Sequence, residues 1–135
     1  MVDDADTVRL AVVGAHLAGE VLHHQLSDRG ATLVSETTTA PVYRLFALAT
    51  DPPKPGLVRV GPDEDGAAIE VEVWALEPAA FASFVNEIPA PLGIGRIVLL
   101  DGSDVAGFIC EPIALAEGAV DITRYGGWRA FLAHP

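Results

Sequence analysis

Residues 10–13 form a continuous apolar run that stops abruptly at Gly14, the pattern of a strand buried on both faces. Residues 20–30 follow with helix formers and a glycine stop. Only Val21, Leu22 and Leu26 give that stretch an apolar face, so a turn or two of helix is expected. Residues 31–39 read as a strand, broken by Ala40-Pro41 and resumed over 42–48 with β-branched and aromatic residues. Pro52, Pro53 and Pro55 predict a rigid loop over 50–56, because each fixes φ. A short strand is expected over 57–60, then an exposed hairpin turn over 61–66. Residues 67–76 alternate cleanly, with Ile69, Val71 and Val73 on one face and Glu70, Glu72 and Trp74 on the other. The two glutamates read most simply as a solvated face.

Pro78 sits at a first helical position, and Phe81, Phe84, Val85 and Ile88 fall on one helical stripe. Residues 89–95 predict an ordered loop. Residues 96–100 and 105–110 flank Asp101-Gly102, a strong hairpin signal. Asp121 is placed to cap a short segment, and Gly126-Gly127-Trp128 leads into a terminal helix over 129–133. About seven strands with few helices indicate an α+β fold with a closed or nearly closed sheet.

The strand-end stretch is the first candidate for chemistry. Gly14 and Gly19 bracket a short insertion that contains His16, and glycines let backbone N–H groups approach a ligand. A small-anion site and a plain tight turn both fit that pattern. Composition narrows the rest. At 135 residues the chain fits one domain, and 19 acidic against 8 basic residues give a net charge of −11. That balance disfavours nucleic acid and anionic membrane surfaces as partners. Mean hydropathy is high at +0.36, yet no run approaches the ~18–20 apolar residues of a membrane span. The acidic start is unlike a signal peptide, so a soluble cytoplasmic protein is expected, with the apolar surplus serving a homodimer. One cysteine, Cys110, excludes an internal disulfide and reads as a small core residue.

Familiar catalytic devices are missing. There is no phosphate-binding Walker loop, no dinucleotide fingerprint, no Gly-x-Ser-x-Gly elbow and no Cys/His set with zinc spacing. His23 and His24 are adjacent and diverge by about 100° in a helix, which is poor for a metal. No metal and no cofactor are expected. The Ser-Ser-Lys segment of amidases is absent as well. What remains is His16, His23 or His24, Tyr43, Arg44, Lys54 and the loop at 89–95. Tyr43 and Arg44 neighbour each other in a strand, so only one of them can face inward. Lys54, in its proline-rich loop, reads as solvated.

The ordered runs VVGAHLAG, HHQLSDRGA, TAPVYRLFAL, PPKPGLVRV, AAIEVEVWAL, FVNEIPAPLGIG, VAGFICEP and DITRYGGWRAFLA resemble the C-terminal domain of allophanate hydrolase over nearly the whole chain. Residues 1–8 read as a mobile arm, and the resemblance covers one domain over 9–135. It implies a γ-glutamylcyclotransferase-like fold, a small mixed β-barrel with peripheral helices. In that two-domain enzyme the amidase half deaminates allophanate to N-carboxycarbamate, and the C-terminal half is linked to decarboxylation of that product. By resemblance His16 is the catalytic candidate. Cyclotransferases of this fold bind substrate through backbone amides of the corresponding loop, here Gly14, Ala15, His16 and Leu17. Two departures stand out. The cyclotransferase glutamate falls at about Ile88, with Glu87 adjacent and expected to face differently, and the family's Asn before His-Gln-Leu is His23 here.

Three functions follow as expectations. The first is binding and decarboxylation of a small anionic substrate, N-carboxycarbamate, with His16 as proton donor and Gly14, Ala15, Leu17, His24, Tyr43 and Arg44 as substrate-binding candidates. The second is a non-catalytic subunit or assembly module that docks onto a separate amidase. The third is a γ-glutamylcyclotransferase-like enzyme, the weakest because its acid/base residue is missing.

Overall fold

The computed structural model describes residues 6–134. Of the expected arm, residues 1–5 lie outside the described residues, and Val8 already opens the first strand. In chain order the elements are β1 (Val8–Val12), α1 (His24–Ser27), β2 (Thr32–Thr38), β3 (Tyr43–Leu48), β4 (Lys54–Arg59), β5 (Glu70–Leu76) and α2 (Pro78–Asn86). There follow β6 (Leu92–Val98), β7 (Asp104–Cys110), α3 (Ile113–Ala116), β8 (Val120–Asp121), a 3-10 turn (Thr123–Tyr125) and α4 (Trp128–Leu132).

The described strands form two sheets, one ordered β2-β5-β1-β7-β6 and one ordered β4-β3-β8. The fold is α+β as expected, but the closed or nearly closed barrel is not formed. Among the described residues, the isolated bridges Thr39↔Leu99 and Tyr43↔Ala67 are the pairings outside the two sheets. The chain changes sheet at Pro41, which cannot continue a ladder, and again after the turn at 61–66. That turn therefore connects two sheets and closes no hairpin. β4 packs against β7 without sharing a ladder with it.

β1 is central, antiparallel to β5 with Leu10 opposite Trp74 and parallel to β7 with Ala11 opposite Gly107. Leu10, Ala11 and Val12 are accordingly buried on both faces. Helix α2 sets Phe84 into the core, and α4 sets Trp128 there. The hairpin β6–β7 forms around Asp101-Gly102 as its sequence predicts, with Gly102 at φ +87°. Two strands begin earlier than the pattern suggests. β4 starts at Lys54 opposite Leu48, inside the predicted proline loop; it is an edge strand, where Pro55 costs no ladder bond. β6 starts at Leu92 opposite Cys110, inside the predicted 89–95 loop.

Candidate functional site

The end of β1 delivers His16. After Val12 the chain tightens into a turn in which the Leu17 amide donates to the Gly14 carbonyl at 2.9 Å and the Leu22 amide to the Ala15 carbonyl at 2.8 Å. Leu17 is fully buried and plugs the turn into the core. The His16 ring stacks on Phe108 with centroids 5.1 Å apart at 13°, and meets the edge of Phe84 at 5.1 Å and 78°. Its Nε2 lies 2.7 Å from Oε1 of Gln25. A carbonyl oxygen only accepts, so Nε2 carries the proton and Nδ1 is left as the basic atom. Burial lowers the His16 pKa below its ordinary value of 6.5, against the Gln25 hydrogen bond that raises it, and the Lys54 charge lowers it further. Burial thus favours the neutral ring.

His16 forms part of the wall of a mostly apolar cavity of about 270 Å³, together with Gly14, Ala15, Gln25, Lys54, Glu87 and Phe108. Among the described residues nothing accepts a hydrogen bond from the amides of Gly14, Ala15 or His16, whereas those of Leu17 and Ala18 are taken. Gly14 is a glycine for a packing reason: a Cβ there would stand 2.0 Å from Cγ of Pro55. Glu87 ends α2 and reaches the cavity rim, contrary to the expected facing, because it follows the last helical residue and leaves the helical stripe. Its carboxylate is 3.1 Å from Arg29, whose other nitrogen donates to the backbone carbonyl of Gln25 at 2.9 Å.

A second set of contacts holds the far side of the same loop. Glu72 is buried, which corrects its reading as a solvated side chain. Its Oε1 accepts from the Ala18 amide at 2.8 Å and from Trp74 Nε1 at 3.1 Å, and its Oε2 accepts from Arg129 at 3.0 Å. Arg129 also donates to the Ala18 carbonyl at 2.6 Å and to Glu70 at 3.1 Å. Burial alone would raise the Glu72 pKa; the Ala18, Arg129 and Trp74 donors outweigh it and leave it lowered.

The expected site residues divide clearly. Gly14, Ala15 and His16 share the cavity wall. Leu17 is core, with its amide already bonded. His24 is exposed on α1 and away from the cavity, whereas His23 braces the loop: its Nδ1 lies 2.9 Å from the His16 carbonyl and its ring 4.8 Å from that of Trp74. Tyr43 is the inward member of its pair, but it points into the core, where its hydroxyl accepts from the Val98 amide at 2.9 Å. Arg44 binds Asp121 at 2.6 Å beside a different groove that includes Glu64 and Asp65. Gln25 and Arg129 were passed over by the sequence reading, whereas Lys54, expected to be solvated, is half-buried and lines the cavity because its proline loop is taken up into an edge strand. Among the described residues no group of three or more His, Cys, Asp or Glu is arranged to hold a metal ion. No helix among them is long and apolar enough to cross a membrane.

Fold and cavity together define a small α+β domain whose central strand presents a histidine-bearing loop to a ligand-sized recess. Residues 8–133 match the allophanate hydrolase C-terminal domain, and the chain belongs to that family. Urea amidolyase of Saccharomyces cerevisiae is 46% identical over 132 residues, which are 96% of this chain and 7% of that protein. The Kluyveromyces lactis allophanate hydrolase is 44% identical and superposes with a TM-score of 0.90, over 95% of this chain and 21% of that one. A uropathogenic E. coli-specific protein, 36% identical, superposes with a TM-score of 0.86 over 96% of this chain and 98% of that one. The chain thus spans a small fraction of the curated relatives it matches.

Proposed function

We propose that the His16 cavity binds a small dicarboxylate of allophanate metabolism, N-carboxycarbamate, and promotes its decarboxylation. The observation that carries this reading is His16, its pKa lowered by burial, on one cavity wall with Gly14 and Ala15, where the amides of residues 14–16 find no acceptor among the described residues. Successive backbone N–H groups at a strand end suit a carboxylate. A dianion bound there offsets the burial that keeps His16 neutral, so the ring takes up a proton as the ligand enters. In the reaction the C–N bond to one carboxylate breaks and carbon dioxide leaves. The electron pair stays on nitrogen and takes the proton from His16. The products are carbamate and a neutral imidazole. Gln25 holds Nε2, so Nδ1 is the ring atom that gains and gives the proton.

The test couples this domain to a separate amidase that generates the intermediate from allophanate. The wild type should accelerate carbon dioxide release and His16→Ala should not. Equal rates with and without the domain would overturn the reading.

A second reading rests on the relatives, in which the matching region is 7% of a urea amidolyase and 21% of an allophanate hydrolase. The domain would then serve as an assembly module on an amidase. Co-sedimentation with that amidase, unchanged by His16→Ala, would support it.

A further inference from the structure

We infer that Lys54 is the cation that meets the second carboxylate of a dianion in the His16 cavity, making that cavity select small dianions over monoanions. This deepens the reading above and rests on it. Lys54 is the single lysine of the chain and is half-buried at the start of β4, on the cavity wall. Its backbone pairs with Leu48 in the ladder, and among the described residues its ammonium makes no hydrogen bond and no ion pair. The other cations near the site are engaged: Arg29 with Glu87 at the rim and Arg129 with Glu72 behind the loop. An ammonium in a mostly apolar recess with no counter-ion of its own is a place for a negative ligand. Its position is also fixed. Pro55 packs onto Gly14 so closely that any Cβ there would overlap it, which ties the residue after Lys54 to the loop with the open amides. Lys54 and the loop of Gly14, Ala15 and His16 thus line one cavity, joined through the Pro55–Gly14 contact, and can serve as two anion-holding groups for one two-ended ligand.

The probes are malonate, a geminal dicarboxylate, and acetate, its one-ended counterpart, titrated into the full chain by NMR and calorimetry. Lys54→Met keeps the aliphatic stem and should weaken malonate binding by about tenfold or more while changing acetate binding little. Lys54→Arg should restore most of the loss. As the only lysine, Lys54 should also be protected by malonate from acetylation in a mass-spectrometric footprint. Malonate binding equal in wild type and Lys54→Met would overturn the inference while leaving the His16 reading intact. Malonate binding that depends on Lys54 but is unchanged in His16→Ala would overturn the His16 reading instead. No malonate binding by the wild type would overturn both.

Discussion

Arg129 from the C-terminal helix α4 and Glu72 from β5 meet at 3.0 Å beneath the loop that carries His16. Between them they hold both backbone groups of Ala18: the carboxylate accepts its N–H and the guanidinium donates to its carbonyl. The loop is thus pinned on one side by a charge pair and on the other by the packing of Gly14 on Pro55. A strand end held at both sides keeps its histidine in one place, the preorganisation a small-ligand site needs.

Glu72→Ala removes the acceptor for the Ala18 amide and the Trp74 indole, both partly or fully shielded from water. The expected cost is roughly 2–3 kcal/mol, read as a fall of about 10 °C in Tm. Glu72→Gln keeps an oxygen for these donors and removes only the charge. The folded-state pKa of Glu72 lies below its ordinary 4.5, so its stabilising contribution is whole above that value. It is lost as pH falls through the folded value. The gap in stability between wild type and Glu72→Gln should therefore close on acidification below 4.5, checked by denaturant melts across that range.

Tyr43→Phe separates core from site. The hydroxyl accepts from the Val98 amide at 2.9 Å, tying the three-stranded sheet to β6. Its removal should cost about 1–2 kcal/mol in denaturant unfolding and leave malonate affinity as in the wild type. A loss of binding with unchanged stability would put Tyr43 back among the ligand-holding groups.

Gly14→Ala tests the contact that joins the loop to β4. A Cβ 2.0 Å from Cγ of Pro55 must displace the loop or the strand, since both partners are rigid. Overpacking of this kind costs about 1–3 kcal/mol. Because the displaced strand carries Lys54, malonate affinity should fall together with Tm. Wild-type affinity in a destabilised Gly14→Ala protein would show that the contact is structural only.

Local patterns were legible in the sequence, and distant ones were not. The central strand, the α2 helix and the Asp101-Gly102 hairpin each follow from residues within a few positions of one another, and all three form, though β1 and β6 start earlier and α2 ends before Ile88. Glu72 has the alternation of an outward side chain, and its burial comes from an arginine 57 residues away that no period of two can reveal. Tyr43 shows the same limit. Strand geometry says that either Tyr43 or Arg44 faces inward, but whether inward means core or cavity depends on where the second sheet lies. The prolines around Lys54 suggested a loop because Pro is foreign to central strands, yet an edge strand tolerates it and carries the lysine into the cavity. Barrel closure fails for a related reason: strand count fixes how many ladders are possible, not which strands share one.

The last prediction concerns the proton on His16. The folded pKa is lowered from 6.5, so the unfolded chain takes up a proton before the native one as pH falls. The contribution of this group to stability is whole above 6.5 and declines as pH drops through the folded value. A bound dianion reverses the balance locally, because its charge favours the imidazolium. Malonate binding near pH 7 should accordingly draw in a proton, seen as a binding enthalpy that changes with the ionisation enthalpy of the buffer. Affinity should rise as pH falls from 7.5 to 6. His16→Gln, which keeps a polar side chain between Phe84 and Phe108, should abolish the buffer dependence and flatten the pH profile. If His16 only fills the space between those two rings, the substitution would lower Tm while leaving proton uptake as in the wild type, and the proton-donor assignment would fall.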